Sequence, residues 1–338
     1  MMKQSTINHW KLKTKVDINS IYMFKACLEY NSQFQPKVKL ELAKWPMYLE
    51  YWQYLENHQN VITFTIKTST DNLTLRGDFI KSPLNNDNKN KTMILLHGIT
   101  NTRFWIFKQT FIFLQDGYNV VWYDARNHGT SDASPTTFGL KESQDLQDII
   151  NYVTTNYETA TDTIGLYGFS LGGATVIMWA ELYLKYEVNN KVKLIISDCT
   201  FSRLDRIYSE KLNNYAFLPT KFMNNWALKK VQKQIGVEKL QELQPIKYLK
   251  FIPNVPMLFL HGETDHFINY TNTSELYQEK IRYEITIKSV IYTIRNANHG
   301  QTFLIGDQED SVVNEHKLLL TQTITNLVLE FIHKWINS

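Results

Sequence analysis

The spacing of hydrophobic residues changes near the sixtieth position of the chain. Before it, apolar residues recur at helical spacing and predict helices over Asp17–Tyr30 and Leu40–His58. After it the spacing becomes two. Val61–Ile66 and Leu73–Ile80 alternate apolar and polar residues on either side of the Asp71–Asn72 pair, which predicts an antiparallel hairpin. We expect the N-terminal helices to pack on the rest of the protein. An alternative that stays open is that these helices line an entrance to the site. They lack a face rich in Lys and Arg, which argues against a helix that touches a membrane surface.

Beyond the hairpin, short apolar strands alternate with helices. Strands are predicted at Thr92–Leu96, Asn119–Tyr123, Asp162–Tyr167, Lys193–Ser197, Pro256–Leu260 and Val290–Ile294. Helices are predicted at Arg103–Gln115, Leu140–Thr155, Leu171–Tyr186, Thr273–Lys280 and Val313–Trp335. Uniformly apolar strands separated by helices indicate an α/β protein whose mostly parallel sheet is covered on both faces.

One connection, from Ser197 to Pro256, is roughly ten times the usual length of such links. It contains three predicted helices, at Phe201–Lys211, Thr220–Gln234 and Val237–Lys250. Because it is inserted at the carboxyl edge of a parallel sheet, where ligands bind, we expect a small helical cap. The predicted organisation is an N-terminal helical extension over residues 1–60, a core over residues 61–200 and 255–338, and a cap over residues 201–254.

A G-x-S-x-G pattern lies between a predicted strand and a predicted helix, at Gly168–Gly172. This is the context of a nucleophile elbow, in which a tight turn exposes the hydroxyl of the serine, here Ser170. The amide of Leu171 would then lie at a helix N-terminus, where a developing oxyanion is favoured. A glycine-rich turn that serves only helix–strand packing is the alternative.

A serine nucleophile needs a base, and the base needs an acid that orients it. In this topology the chain order is serine, acid, histidine. Of the nine histidines, only His299 lies in a loop just after the predicted final strand, whereas His316 and His333 fall within the predicted last helix. Asp265 follows the preceding strand and is the favoured acid, with Asp198 as the competing candidate.

The oxyanion hole requires a second backbone donor. The sharp loop after the Thr92–Leu96 strand makes the Ile99 amide the expected partner of the Leu171 amide. His97, in the same loop, is expected to fix the loop rather than to catalyse. We expect the charged residues of the segment from Asp124 to Ser131 to be hydrogen-bonded within their own loop rather than to contact substrate.

Composition narrows the functional class. A net charge of +3, with basic residues scattered among acidic ones, gives no support for nucleic-acid binding. The two cysteines, Cys27 and Cys199, are expected to be reduced core thiols, which fits a cytoplasmic protein. No signal sequence or segment of about 20 apolar residues is evident. The expected chemistry needs no metal and no organic cofactor.

Five motifs in order, each at a predicted strand end, resemble the α/β-hydrolase superfamily from about Val61 to the C-terminus. They are His97-Gly98, Asp124-x-Arg126-x-His128-Gly129-x-Ser131, Gly168-x-Ser170-x-Gly172, His261-Gly262-x-x-Asp265 and Asn298-His299. The resemblance is closest to bacterial serine hydrolases with a small helical cap. It implies a carboxylesterase that acts on small to medium acyl esters. Thioesterase, lipase, amidase and peptidase activities remain alternatives, and a non-catalytic binding protein is a further one. The serine disfavours the aspartate-nucleophile branches of the superfamily. The substrate's identity and the oligomeric state stay open.

Overall fold

A ten-stranded sheet forms the centre of the part of the chain that the structure describes. The structure, a computed structural model, describes residues 46–207, 229, 232–233, 236, 240–286 and 288–338. The strands are β1 (Val61–Lys67), β2 (Thr74–Ile80), β3 (Lys91–Leu96), β4 (Asn119–Asp124), β5 (Thr163–Phe169), β6 (Val192–Asp198), β7 (Met257–Gly262), β8 (Val290–Ile294), β9 (Val312–Val313) and β10 (Leu319–Leu320).

The strands lie in the order β1-β2-β4-β3-β5-β6-β7-β8-β9-β10. The six from β4 to β8 in this order pair in parallel. The β1–β2 hairpin pairs antiparallel and joins β4 through β2, and β9 and β10 extend the other edge in antiparallel fashion. The predicted fold class is therefore confirmed: a mixed, mostly parallel sheet with an N-terminal antiparallel hairpin.

Helices cover both faces of this sheet. They are α1 (Pro46–Asn57), α2 (Phe107–Gln115), α3 (Leu140–Asn156), α4 (Leu171–Met178), α5 (Thr271–Tyr283), α6 (Thr302–Gly306) and α7 (Ile324–Trp335). Short 3₁₀ segments precede α2 at Arg103–Ile106 and follow α4 at Trp179–Lys185. None of the helices in the described ranges is long and apolar enough to cross a membrane.

Alternate side chains of each central strand enter two separate cores. In β3, Met93 and Leu95 belong to the core that also holds residues of α1, α2 and α7. Ile94 and Leu96 belong to the opposite core, with residues of α3, α4 and α5. This double burial explains why the strands are apolar throughout and do not alternate in sequence.

The helix α1 packs into the first of these cores. Trp52 is only 5% exposed, and its ring lies 5.4 Å from that of Trp122 and 5.8 Å from that of Phe104. The packing interpretation holds for this helix. The other predicted N-terminal helix, Asp17–Tyr30, lies outside the described residues, as do residues 40–45 of the second one.

The prediction of a helix over Val313–Trp335 is wrong in its first half. The chain there forms β9, a turn and β10, and α7 begins only at Ile324. The side chain of Asn314 accepts hydrogen bonds from the amides of His316 and Leu318 and closes the turn, so His316 lies in a hairpin loop and not in a helix. Thr323 caps α7 by accepting from the amide of Asn326.

The predicted cap is described only in part. Residues 204–207 are helical, which agrees with the start of the predicted Phe201–Lys211 helix. The predicted Thr220–Gln234 helix lies almost entirely outside the described residues. In place of the C-terminal part of the Val237–Lys250 helix, the chain forms two 3₁₀ segments, Leu240–Leu243 and Pro245–Phe251. Pro245 has no amide to donate and holds Gln244 extended, which explains this error.

Candidate active site

The carboxyl ends of the parallel strands carry the loops that hold the predicted site residues. Ser170 follows β5, Asp265 follows β7 and His299 follows β8. The backbone is strained along this edge, because non-glycine residues there have positive φ, among them Thr100 at 62°, Ser170 at 54° and Cys199 at 52°. Such conformations cluster at functional sites, where the surrounding fold holds them in place.

The turn between β5 and α4 has the geometry of a nucleophile elbow. Ser170 adopts φ 54° and ψ −110°, and its amide donates to the Asp198 carbonyl at 2.8 Å. A Cβ on Gly168 would lie 2.2 Å from the Gly172 carbonyl oxygen, and one on Gly172 would lie 2.4 Å from the Leu96 carbonyl oxygen. Both positions therefore need glycine, and the alternative of a packing turn does not account for the strain at the serine itself.

The imidazole of His299 is bonded to the predicted acid. Its Nδ1 lies 2.7 Å from Oδ2 of Asp265, whose side chain is fully buried. The other carboxylate oxygen accepts from the amides of Phe267 at 2.8 Å and Ile268 at 2.9 Å. Burial tends to raise the pKa of Asp265, but hydrogen bonds from His261 and His299 outweigh it and hold the pKa well below its usual value. Asp265 is therefore ionised at neutral pH.

An ionised carboxylate can only accept, so Nδ1 of His299 carries the proton when the ring is neutral. The other ring nitrogen, Nε2, is then an acceptor and can act as a base. The imidazole lies between two aromatic rings, those of Phe169 and Phe267, each 4.9 Å away from centroid to centroid. Because Phe169 directly precedes Ser170, this packing brings the histidine loop against the elbow.

A second histidine contacts the same acid. Nε2 of His261 lies 3.2 Å from Oδ2 of Asp265 and 2.8 Å from the carbonyl oxygen of Ile268. The sequence pattern marks His261 only as part of the His261-Gly262-x-x-Asp265 motif and predicts no role of its own for it. The spacing of four residues between His261 and Asp265, across a turn at the end of β7, is the signal that would have pointed to it.

The competing acid, Asp198, has other partners. Its Oδ2 accepts from the hydroxyl groups of Tyr167 at 2.7 Å and Thr302 at 2.8 Å. Among the hydrogen bonds of the described residues, none joins its side chain to His299. Burial raises the pKa of Asp198, which disfavours the ionised form that a triad acid requires. The geometry thus favours Asp265 over Asp198.

The loop after β3 is held by two histidines that accept backbone hydrogen bonds. Nε2 of His97 accepts from the Ala125 amide at 3.0 Å, and Nε2 of His128 accepts from the Thr100 amide at 3.1 Å. Burial lowers the pKa of His97 to about 4, and repulsion by a protonated His128 acts in the same direction. Burial also lowers the pKa of His128. Both rings are therefore neutral at pH 7 and fix this loop, as expected for His97.

The two amides predicted for the oxyanion hole are available. Within the described residues, neither the Ile99 amide nor the Leu171 amide donates a hydrogen bond. The Leu171 amide lies at the first residue of α4, where the helix dipole adds to its attraction for negative charge. Donors left unpaired beside a nucleophile can stabilise an oxyanion that forms there.

The charged residues at the end of β4 and in the loop after it are hydrogen-bonded within the protein, but the prediction that they bond within their own loop holds only in part: Thr130 donates to Asp124, whereas the other partners lie in other elements. Both oxygens of Asp124 accept from Arg103, through the Arg103 backbone amide and guanidinium, and Arg126 forms two hydrogen bonds with Asp145 at 2.6 and 2.7 Å. Arg126 also contacts Asp71 at 2.7 Å. These pairs tie the β4 loop to the hairpin and to α3.

Three side chains at the site could offer atoms to a metal ion: Cys199, Asp265 and His299, whose donor atoms lie within 4.8 Å of one another. However, Asp265 and His299 already bond to each other, and burial raises the pKa of the Cys199 thiol well above its usual value. A protonated thiol is a poor metal ligand, so these residues fit a hydrogen-bonded acid–histidine pair better than a metal centre.

An apolar pocket adjoins the serine. It has about 310 Å³ of empty space, part of it open to solvent. Apart from Ser170, its described lining is apolar: Ile99, Phe138, Leu171, Phe201, Leu204, Ile207, Phe267 and Ile268. Such a lining favours an uncharged hydrocarbon group next to the nucleophile.

The sheet, the elbow and the order of the loops together define an α/β-hydrolase fold. The model of the family described as "alpha/beta hydrolase fold" matches residues 91–333, and the chain belongs to this family. Among curated proteins, the chain is 27% identical over 216 residues to YqkD, an uncharacterized protein of Bacillus subtilis (strain 168). It is 24% identical over 211 residues to YfhR, an uncharacterized protein of Escherichia coli (strain K12).

These two matches cover 63% and 62% of this chain and 66% and 65% of the relatives, just under two thirds of each relative's length. Among solved structures, the Pyrococcus furiosus esterase Pf2001 is similar with a TM-score of 0.59 and 24% identity, over 82% of this chain and 93% of that one. At this identity the likeness establishes the fold alone.

Proposed function

We propose that the protein is a serine hydrolase, most specifically a carboxylesterase that acts on small to medium acyl esters. The observation that carries the proposal is the 2.7 Å bond between His299 and Asp265, with the His299 ring packed against the residue that precedes the strained Ser170. In this proposal Ser170 is the nucleophile, His299 the general base and acid, and Asp265 the orienting acid.

The reaction begins when the Ser170 hydroxyl attacks the ester carbonyl while Nε2 of His299 takes its proton. The amides of Ile99 and Leu171 bind the negatively charged oxygen of the tetrahedral intermediate. His299 then protonates the alcohol as it leaves, and an acyl-enzyme remains. Water, deprotonated by His299, attacks that acyl group, and the carboxylic acid is released. Asp265 stays ionised and keeps the imidazole in the required tautomer throughout.

The apolar pocket supports an uncharged acyl group as the part of the substrate held beside Ser170. Its lining includes Phe201, Leu204 and Ile207, which open the segment assigned here to the cap, residues 201–254. The name of one structural neighbour, an esterase of Pyrococcus furiosus, agrees with the same reaction class. No step of the proposed mechanism requires a metal or cofactor.

A matched set of substrates tests the bond type. The oxygen ester, the thioester and the amide of one short acyl group are assayed with the wild-type protein and with Ser170→Ala, whose folding is compared by circular dichroism. We expect the oxygen ester to have the highest kcat/KM and its hydrolysis to disappear in the variant. A higher kcat/KM for the thioester or the amide would replace the carboxylesterase assignment with a thioesterase or an amidase.

A non-catalytic binding protein is the alternative from another class. It predicts no turnover of any of the three substrates and a biological role that survives Ser170→Ala. The strain at Ser170 argues against it, since a binding protein gains nothing from holding a serine at φ 54°.

A further inference from the structure

The buried side chain of His261 contacts the proposed catalytic acid, Asp265. The side chain is 1% exposed and lies at the end of β7. Its Nε2 faces two acceptors, the carbonyl oxygen of Ile268 at 2.8 Å and Oδ2 of Asp265 at 3.2 Å. A ring nitrogen that faces only acceptors must carry a proton, so Nε2 is a donor shared between them.

The opposite ring nitrogen, Nδ1, lies next to a hydroxyl group that can donate a hydrogen bond to it. Nδ1 of His261 lies 2.6 Å from the hydroxyl oxygen of Thr273, on α5. A threonine hydroxyl can donate to an unprotonated nitrogen, although this one also lies 3.4 Å from the carbonyl oxygen of Thr200, so the contact is compatible with the tautomer in which Nε2 carries the hydrogen. The two acceptors at Nε2 therefore require this tautomer, and Thr273 holds the opposite edge of the ring.

We propose that His261 is a positioning residue for the reaction: it fixes the carboxylate of Asp265 so that Oδ2 points at His299. This inference rests on the hydrolase assignment above. The carboxylate is held at four points, by the amides of Phe267 and Ile268 on Oδ1 and by the two histidines on Oδ2.

The same donor also holds the turn in which the acid lies. Ile268 donates its amide to Asp265 and accepts from His261 through its carbonyl oxygen, so the turn between them is bonded back to the end of β7. Without the Nε2 donor, Oδ2 keeps His299 as its one partner among these contacts. The carboxylate then keeps three of its four contacts, and the position of Oδ2 relative to the imidazole is less tightly fixed.

Removing the donor should lower kcat. A hydrogen bond to a buried charge is worth enough to predict a fall of about 10- to 100-fold. The titratable groups that face Asp265 are His261 on β7, His299 in the loop after β8 and Cys199 in the loop after β6. Among these groups only the two histidines donate to the carboxylate, so the loss of His261 leaves His299 as its one side-chain donor.

A double-mutant cycle separates positioning from a merely structural role. His261→Leu is made in the wild-type protein and in Asp265→Asn, and kcat is measured with a short acyl ester. If His261 acts through Asp265, its substitution costs about 10- to 100-fold in the wild type but less than about twofold in the Asp265→Asn background. His261→Gln, whose amide nitrogen can occupy the Nε2 position, should recover most of the loss.

Equal losses in the two backgrounds, or no loss in the wild type, would overturn the inference while leaving the hydrolase assignment intact. Wild-type protein without Ser170-dependent hydrolysis would overturn both. If His261→Leu does not fold, His261→Asn makes the same comparison, because its amide reaches only the Nδ1 position and cannot donate to Asp265. Thr273→Val, paired with Thr273→Ser as a control that keeps the hydroxyl, should give a smaller loss in the same direction.

Discussion

Asp265→Asn tests the proposed triad at its acid and exchanges one oxygen for an NH2 group. The amides of Phe267 and Ile268 both donate to Oδ1, so the remaining oxygen of the asparagine is required there. The NH2 group must then occupy the Oδ2 position and donate to Nδ1 of His299. The imidazole is forced into the tautomer with its proton on Nε2, and it can no longer take a proton from Ser170.

The magnitude follows from this change of tautomer. The corresponding substitution in a trypsin-type triad lowers kcat by about 10⁴-fold, which corresponds to about 5 kcal/mol of transition-state stabilisation. We expect a loss of this size here, because the same two contacts define the imidazole. The new NH2 group also faces the Nε2–H of His261, so two donors oppose each other where a donor and an acceptor met before. This contact is unfavourable and gives no reason to expect a smaller loss of kcat.

The assay compares kcat for a p-nitrophenyl ester between wild type, Asp265→Asn and Asp198→Asn. The second variant is the matched control. The asparagine oxygen can occupy the Oδ2 position of Asp198 and accept from Tyr167 and Thr302. Its NH2 group then replaces Oδ1 of Asp198, which has no hydrogen-bond partner in the described part of the chain. We expect Asp198→Asn to remain within about threefold of wild type, since it removes no accepted hydrogen bond. A large loss in Asp198→Asn with little loss in Asp265→Asn would refute the assignment of the acid.

Three further predictions concern the elbow, the pocket and the oxyanion loop. Gly172→Ala places a Cβ 2.4 Å from the Leu96 carbonyl oxygen and should lower the free energy of unfolding, measured by urea titration, by about 3 kcal/mol. A urea midpoint close to that of the wild type would contradict the close approach of the two backbones at this turn. Leu204→Ala enlarges the pocket beside Ser170 and should raise kcat/KM for longer acyl chains relative to short ones by about tenfold, measured across a series of p-nitrophenyl esters. An unchanged dependence on chain length would show that Leu204 does not contact the acyl group. His97 has a pKa of about 4 in the folded protein against 6.5 in the unfolded chain, so the unfolded chain binds more protons between these two pH values. The free energy of unfolding should therefore fall by on the order of 3 kcal/mol as the pH drops from 7 to 4. His97→Asn should flatten this dependence, and an equal slope in both proteins would argue against a neutral buried ring.

The sheet and the elbow could be predicted from sequence because their signals are local. Strands buried on both faces are apolar throughout, and a turn as tight as Gly168–Gly172 leaves glycine at both ends. The positions of Asp265 and His299 followed from chain order, since loops at the carboxyl edge of parallel strands must converge. Their hydrogen bond agrees with that expectation.

Other features depend on contacts that no local pattern records. The strands β9 and β10 are two residues each, too short for periodicity, and depend on pairing with β8 and on the Asn314 turn. The bond between His261 and Asp265 requires knowing how the turn after β7 folds back. The break at Pro245 is different, because the proline was a visible signal that the helical spacing around it outweighed.

Covalent labelling of the protein tests whether Ser170 is a nucleophile that His299 activates. The protein is treated with a fluorophosphonate, digested and analysed by mass spectrometry, alongside His299→Ala with its folding verified. We expect one adduct, on the peptide that contains Ser170, and its loss or marked slowing in the variant. If a well-folded wild-type protein gains no adduct, or gains it on another serine, Ser170 is not the activated nucleophile.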